Sequence, residues 1–187
     1  AAFAGQVGDD PFGHFIVEAL ELYGVDTALT AFHPDAPTAL AFVFLDDNGE
    51  RSVAFRRDRT ADVVFGKDQV DKTWFTGESI VHFCSNTLTE APIADVTRHV
   101  VAEALKYNAF VSFDVNLRHN LWPSDTVDAG AVNDLVYRSH MAKFSREEID
   151  YWSDGDRESY LSRFFDQGLG TALVTDGPGD ILMYSEG

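Results

Sequence analysis

The stretch Gly5-Gln-Val-Gly-Asp-Asp-Pro-Phe-Gly13 forces a strand to end tightly and hand over to a helix within nine residues. Gly5 and Gly8 suit a sharp strand exit, and Asp9 and Asp10 offer carboxylate caps just before Pro11 at the first helical position. Phe12, Phe15, Ile16, Ala19, Leu20 and Tyr23 then recur at helical spacing, and Gly24 stops the pattern. Ala1 to Gly5 reads as the tail of a strand. A strand running straight into a capped helix is the basic unit of an α/β fold, and the rest of the chain repeats it.

Apolar runs at Ile80 to Cys84, Ala109 to Val115, Met141 to Phe144 and Thr171 to Thr175 predict strands, with Ile181 to Tyr184 a last short one. Between them lie helical patterns: one from about Ala91 with the stripe Ile93, Val96, Val100, Ala104 and Leu105, one at Ala131 to Val136, and others through Trp152 and from Tyr160 to Phe165. This alternation predicts an α/β fold with a mainly parallel sheet and helices on both faces, whose ligands sit beyond the carboxyl ends of the strands. Residues 38 to 60 break the pattern. Thr38 to Leu45 and Ser52 to Arg56 are extended runs joined by Asp46-Asp-Asn-Gly49, and Asn-Gly between apolar runs marks a hairpin. The expected organisation is a core of residues 1–37 and 61–187 carrying a small antiparallel β lid at 38–60.

Composition narrows the function. With 31 acidic against 14 basic residues, a formal charge of −17, the chain lacks the clustered cations that nucleic-acid binding needs. No apolar run approaches the roughly 20 residues that span a bilayer, and no charged-then-apolar leader opens the sequence. The lone Cys84 cannot form an internal disulfide and reads as a small buried hydrophobe. A soluble, cytoplasmic protein is expected. The six His form no metal-spaced pair, and no Ser/His/Asp or Cys/His set stands out.

Several segments could carry chemistry. Asp114, Asn116 and Arg118 follow a strand at spacings of two, so they point to one side while the backbone stays extended; the alternative is a strand-end turn that satisfies backbone amides, with Arg118 in a surface ion pair. Ser145-Arg-Glu-Glu148 has the spacing of a helix capping box. Thr175-Asp-Gly177 fits a tight turn. Charged residues in Phe55 to Asp62 suit the solvated edge of a hairpin, the reading that Arg56 and Arg59 take.

The joint at 5–13, Phe113-Asp-Val-Asn-Leu-Arg118 with Leu121-Trp122, Lys143-Phe-Ser-Arg-Glu-Glu148 and Val174-Thr-Asp-Gly177 together resemble, in the same order, the signatures of the PfkB/ribokinase-like carbohydrate kinases, of fructokinase or 2-keto-3-deoxygluconate kinase type. The resemblance implies an ATP-dependent sugar kinase using Mg2+. It implies substrate contacts from Arg57, Asn116 and Arg118, with Asp114, Lys143, Glu148, Thr175 and Gly177 in the nucleotide and phosphate region. Glu148 would also organise the metal indirectly, and the lid would pair two subunits into a homodimer. Three positions depart from the pattern: Val115 replaces a common Pro and leaves the turn less rigid, Ser145 stands for Asn, and Asp180 stands where a second Gly is usual. The family's Asp-Thr-x-Gly-Ala-Gly-Asp segment, with its catalytic base, and its Gly-Gly-x-x-x-Asn sugar segment do not occur in this sequence. A chain incomplete at both ends, with the base beyond Gly187, is therefore expected. The alternatives are a non-catalytic or truncated relative that binds sugar, nucleotide or a protein partner without turnover, and a nucleoside kinase of the same fold.

Overall fold

The computed structural model describes residues 1–49, 51–75 and 78–185. The chain divides into two compact units, Ala1–Gly66 and Lys67–Gly187.

In the first unit β1 (Ala2–Gly8) runs parallel to β2 (Asp26–His33), and α1 (Pro11–Leu22) connects them. The cap expected at the start of α1 is Asp10, whose Oδ1 accepts from the Phe12 and Gly13 N–H groups at 3.0 and 2.8 Å. Asp9 does not cap; it pairs with His14 at 2.8 Å. Asp10 also holds the start of the next element. Its Oδ2 accepts from the Thr38 N–H and its Oδ1 from the Thr38 hydroxyl, both at 2.8 Å. The Thr38 Oγ1 in turn accepts from the Gly8 N–H at 2.9 Å.

From this anchor rises the antiparallel hairpin of β3 (Leu40–Leu45) and β4 (Arg51–Arg56), in register from Leu40 opposite Arg56 to Leu45 opposite Arg51. Asp46 sets its turn, accepting the Asn48 and Gly49 N–H groups, and Gly49 takes the positive φ of 81° that the Asn-Gly signal anticipates. Glu50, inside the expected lid, lies outside the described residues. At the hairpin's foot the Ala61 N–H donates to the Pro37 carbonyl at 2.9 Å. β2 carries little apolar patterning of its own, since Thr and Ala intersperse Asp26–His33; its pairing with β1, not its side chains, makes it a strand.

The second unit is a five-stranded sheet in the order β5 (Ile80–Cys84), β6 (Phe110–Asp114), β7 (Met141–Ser145), β8 (Thr171–Thr175), β9 (Ile181–Ser185). The first four strands are parallel, and β9 returns antiparallel to β8. The crossovers contain α2 (Ala91–Lys106), α3 (Ala129–Tyr137), and α4 (Arg146–Ser153) with α5 (Arg157–Phe165). Three consecutive buried residues, Val111, Ser112 and Phe113, show that β6 is covered on both faces, as a parallel sheet requires. Phe113, Phe144, Phe164, Leu135 and Ile149 are its largest fully buried side chains, one continuous core. Cys84 is half-buried, not fully buried, because it lies at the carboxyl end of the first strand of this sheet's order. Among the described residues no helix is long and apolar enough to cross a membrane.

Candidate functional site

The parallel strands of the second unit end side by side, and most of its candidate residues gather there. Asp114 closes β6 opposite Lys143 of β7, and the Lys143 Nζ lies 3.2 Å from the Asp114 Oδ1. The ladder continues one step, with the Val115 N–H donating to the Lys143 carbonyl at 2.9 Å. Asn116 then takes φ 36°, in the left-handed region, and the chain leaves the strand. Asp114, Asn116 and Arg118 therefore do not extend along one face, because the extended backbone on which that alternation depends stops before Asn116. Asn tolerates this conformation better than other side chains.

The turn is fastened from several directions. The Asn116 carbonyl accepts from the Ser85 hydroxyl at 3.4 Å, and Arg118 Nη1 donates to the Leu117 carbonyl at 3.0 Å. The Leu117 N–H donates to the Glu148 Oε1 at 2.7 Å. Glu148 reaches it from α4, whose start is the capping box expected from the sequence: the Glu148 N–H donates to the Ser145 Oγ at 3.1 Å, and the Ser145 N–H to the Glu148 Oε2 at 2.7 Å.

These segments enclose an open cleft of about 460 Å³ lined by Asn116, Leu117, Arg118, His119, Lys143, Ser145, Glu147, Glu148 and Tyr151. Four of the candidate residues, Asn116, Arg118, Lys143 and Glu148, thus meet at one place, with Asp114 joined through its ion pair. Thr175 and Gly177 do not line this cleft. Thr175 ends β8 opposite Ser145, its hydroxyl donating to the Phe144 carbonyl at 3.4 Å, and Gly177 at φ 50° turns the β8–β9 hairpin. That turn is tied to α4 by Arg146 and Asp176 at 2.8 Å. His119 and Tyr151 line the cleft without having stood out in the sequence; their rings meet edge to face at 5.6 Å. Tyr151 falls on the exposed side of α4, where helical periodicity carries no signal.

Arg57 belongs to the first unit. Its Nε donates to the Asp62 Oδ2 at 2.6 Å, and the Thr60 hydroxyl donates to the Asp62 Oδ1 at 2.6 Å. This fixes Arg57 on the wall of a second cleft, of about 330 Å³, with Thr38, Leu40, Phe55 and Thr60 among its lining. Arg56 and Arg59 are exposed, in keeping with a solvated edge.

The donor set of the larger cleft, a guanidinium, an ammonium and a carboxamide, suits anionic oxygens. Among the described residues no three His, Cys, Asp or Glu side chains cluster as metal ligands, and both Glu148 oxygens already accept backbone amides.

The profile of the pfkB family carbohydrate kinases matches residues 1–187. The probable fructokinase-7 of Arabidopsis thaliana is 32% identical over 190 residues, covering 100% of this chain and 55% of that protein. The fructokinase of Vibrio alginolyticus is 32% identical over 178 residues, covering 95% and 57%. Among solved structures, fructokinase from Xylella fastidiosa superposes with a TM-score of 0.92 at 34% identity, covering 99% of this chain and 60% of that one. The chain thus spans little more than half the length of these relatives. The match along all 187 residues, together with a fold that reproduces theirs, shows that the chain belongs to the pfkB family of carbohydrate kinases.

Proposed function

We propose that residues 1–187 form part of an ATP-dependent sugar kinase, most like fructokinase, that transfers the γ-phosphoryl group to a sugar hydroxyl. The observation that carries this reading is the convergence of Asn116, Arg118 and Lys143 on one cleft at the carboxyl ends of β6 and β7. Phosphoryl transfer is catalysed chiefly by positioning and by stabilising negative charge, which such donors supply. Two similar proteins were solved with the corresponding ligands: the Xylella fastidiosa fructokinase with bound ATP, and the fructokinase of Vibrio cholerae O395 with fructose, ADP and calcium ion, at TM-scores of 0.92 and 0.88.

In this reading the sugar hydroxyl oxygen bonds to the γ-phosphorus, the bond from that phosphorus to the β–γ bridging oxygen breaks, and ADP leaves. The hydroxyl proton passes to a base; no residue of 1–187 is assigned that role, since the sequence contains no Asp-Thr-x-Gly-Ala-Gly-Asp segment. Arg57, Asn116 and Arg118 serve the sugar and the transferring group. Asp114 and Lys143 serve the phosphates, with Glu148, Thr175 and Gly177 shaping the nucleotide end. Mg2+ would enter with ATP and neutralise phosphate charge, organised indirectly by Glu148. The reading places the protein in the cytoplasm as a homodimer joined through the lid, where Phe42, Val43, Phe44 and Leu45 are all exposed on β3; sedimentation as a monomer at every concentration would remove the dimer.

Substitutions in the full-length gene product separate the two roles. Loss of a charge-assisted hydrogen bond is worth about tenfold or more in affinity. Arg57→Ala should therefore raise the sugar KM by about that factor with the ATP KM little changed, and Lys143→Ala should do the reverse. Equal effects on both constants in both variants would contradict the assignment.

A further inference from the structure

The geometry points to Glu148 as a positioning residue that presets the Asn116–Arg118 turn by clamping two backbone amides, a role exercised through Leu117. This rests on the kinase reading only for its consequence in turnover. One carboxylate oxygen accepts from the Leu117 N–H and the other from the Ser145 N–H, each at 2.7 Å. Glu148 is 9% exposed, so these bonds replace most of the water an ionised carboxylate would otherwise hold.

The turn needs such a partner. Asn116 at φ 36° takes the chain off β6, so the Leu117 N–H no longer faces the β7 ladder that served Val115. A buried N–H without an acceptor is costly, and Glu148 supplies one from a helix 31 residues away in sequence. Asn116 and Arg118 flank Leu117 on either side. A shift of the Leu117 amide therefore moves both cleft donors at once, and misplacement of donors by about 1 Å costs a phosphoryl-transfer site heavily. The capping box alone does not account for the arrangement, because it uses only the Ser145 half of the carboxylate.

Three variants of the full-length gene product test the clamp: Glu148→Gln, Glu148→Ala and Ser145→Ala. Gln keeps the shape but turns an N–H2 donor toward one of the two amides, and Ala removes both acceptors. Ser145→Ala removes the cap hydroxyl and leaves both Glu148 bonds in place. Site-resolved hydrogen exchange of the ligand-free protein should show the Leu117 amide exchanging about tenfold faster or more in both Glu148 variants and within about twofold of wild type in Ser145→Ala. In the sugar-kinase assay Glu148→Gln should lower kcat/KM by about tenfold or more. Unchanged Leu117 exchange in Glu148→Gln, or equal acceleration in Ser145→Ala, would each overturn the proposal. A wild-type protein without turnover would remove the kinase reading alone, with the Leu117 exchange still deciding the clamp.

Discussion

Gly13→Ala should destabilise the first unit by more than about 3 kcal/mol. The sign is the reverse of what helix propensity predicts, since Ala inside a helix normally gains about 0.5–1 kcal/mol over Gly. Gly13 is buried in the first turn of α1, and a Cβ there would run into the Gly8 carbonyl oxygen and reach 3.0 Å from the Thr38 hydroxyl. The Gly8 oxygen is backbone at the end of β1 and cannot rotate away. To accommodate the methyl, α1 would have to lift from β1, and that would also pull Asp10 from Thr38. For a protein of this size the cost corresponds to a fall in Tm of about 6–12 °C, read by calorimetry or by circular dichroism during heating. A variant that melts with wild type would show that α1 and Gly8 are not in contact.

Asp10→Asn should cost about 1–3 kcal/mol and should make stability less dependent on acid pH. The carboxylate accepts four hydrogen bonds, three of them from backbone or hydroxyl groups on Oδ1 and one from the Thr38 N–H on Oδ2. Asn can keep the Oδ1 bonds but turns an N–H2 donor toward the Thr38 N–H. The Thr38 backbone N–H is the largest cause holding the Asp10 carboxyl below its ordinary 3.8, opposed by desolvation and helped by Gly13, the Thr38 hydroxyl and Phe12. A carboxyl whose folded pKa is depressed binds its proton more readily when unfolded. Its contribution is therefore complete above the ordinary value and is lost as pH falls through the folded one. Urea unfolding should show wild type clearly more stable than Asp10→Asn at pH 7, and the gap should narrow as pH falls from about 4. A gap independent of pH would mean that the charge on Asp10 does not hold Thr38.

Gly13 and Asp10 both belong to the strand-to-helix joint at residues 5–13, which is legible in sequence for a physical reason. Caps, Pro11, Gly24 and the Asn-Gly turn act within a few residues, so spacing alone discloses α1 and the β3–β4 hairpin. What stays hidden is long-range. Nothing near Asp10 announces that its second oxygen holds Thr38, 28 residues on. Nothing in Ser145 to Glu148 announces Leu117, although the capping box itself is legible. β2 escapes notice because strand pairing, not apolar alternation, creates it. At the cleft, the residue types in Asp114, Asn116, Arg118 and Lys143 mark the segments that the fold brings together. The rule that alternate residues share a side fails there, because it presumes the extended backbone that Asn116 ends. His119 and Tyr151 sit on the cleft through tertiary placement, without a spacing that marks them.

ADP release from Mg-ATP by the full-length gene product, with fructose, 2-keto-3-deoxygluconate, ribose and adenosine offered separately, tests the kinase function most directly. Sugar-dependent ADP release, fastest with fructose, is the expected result, with little ADP formed without sugar. Absence of turnover with all four from a folded protein would contradict it, and would favour a family member that binds sugar or nucleotide without transferring the phosphoryl group.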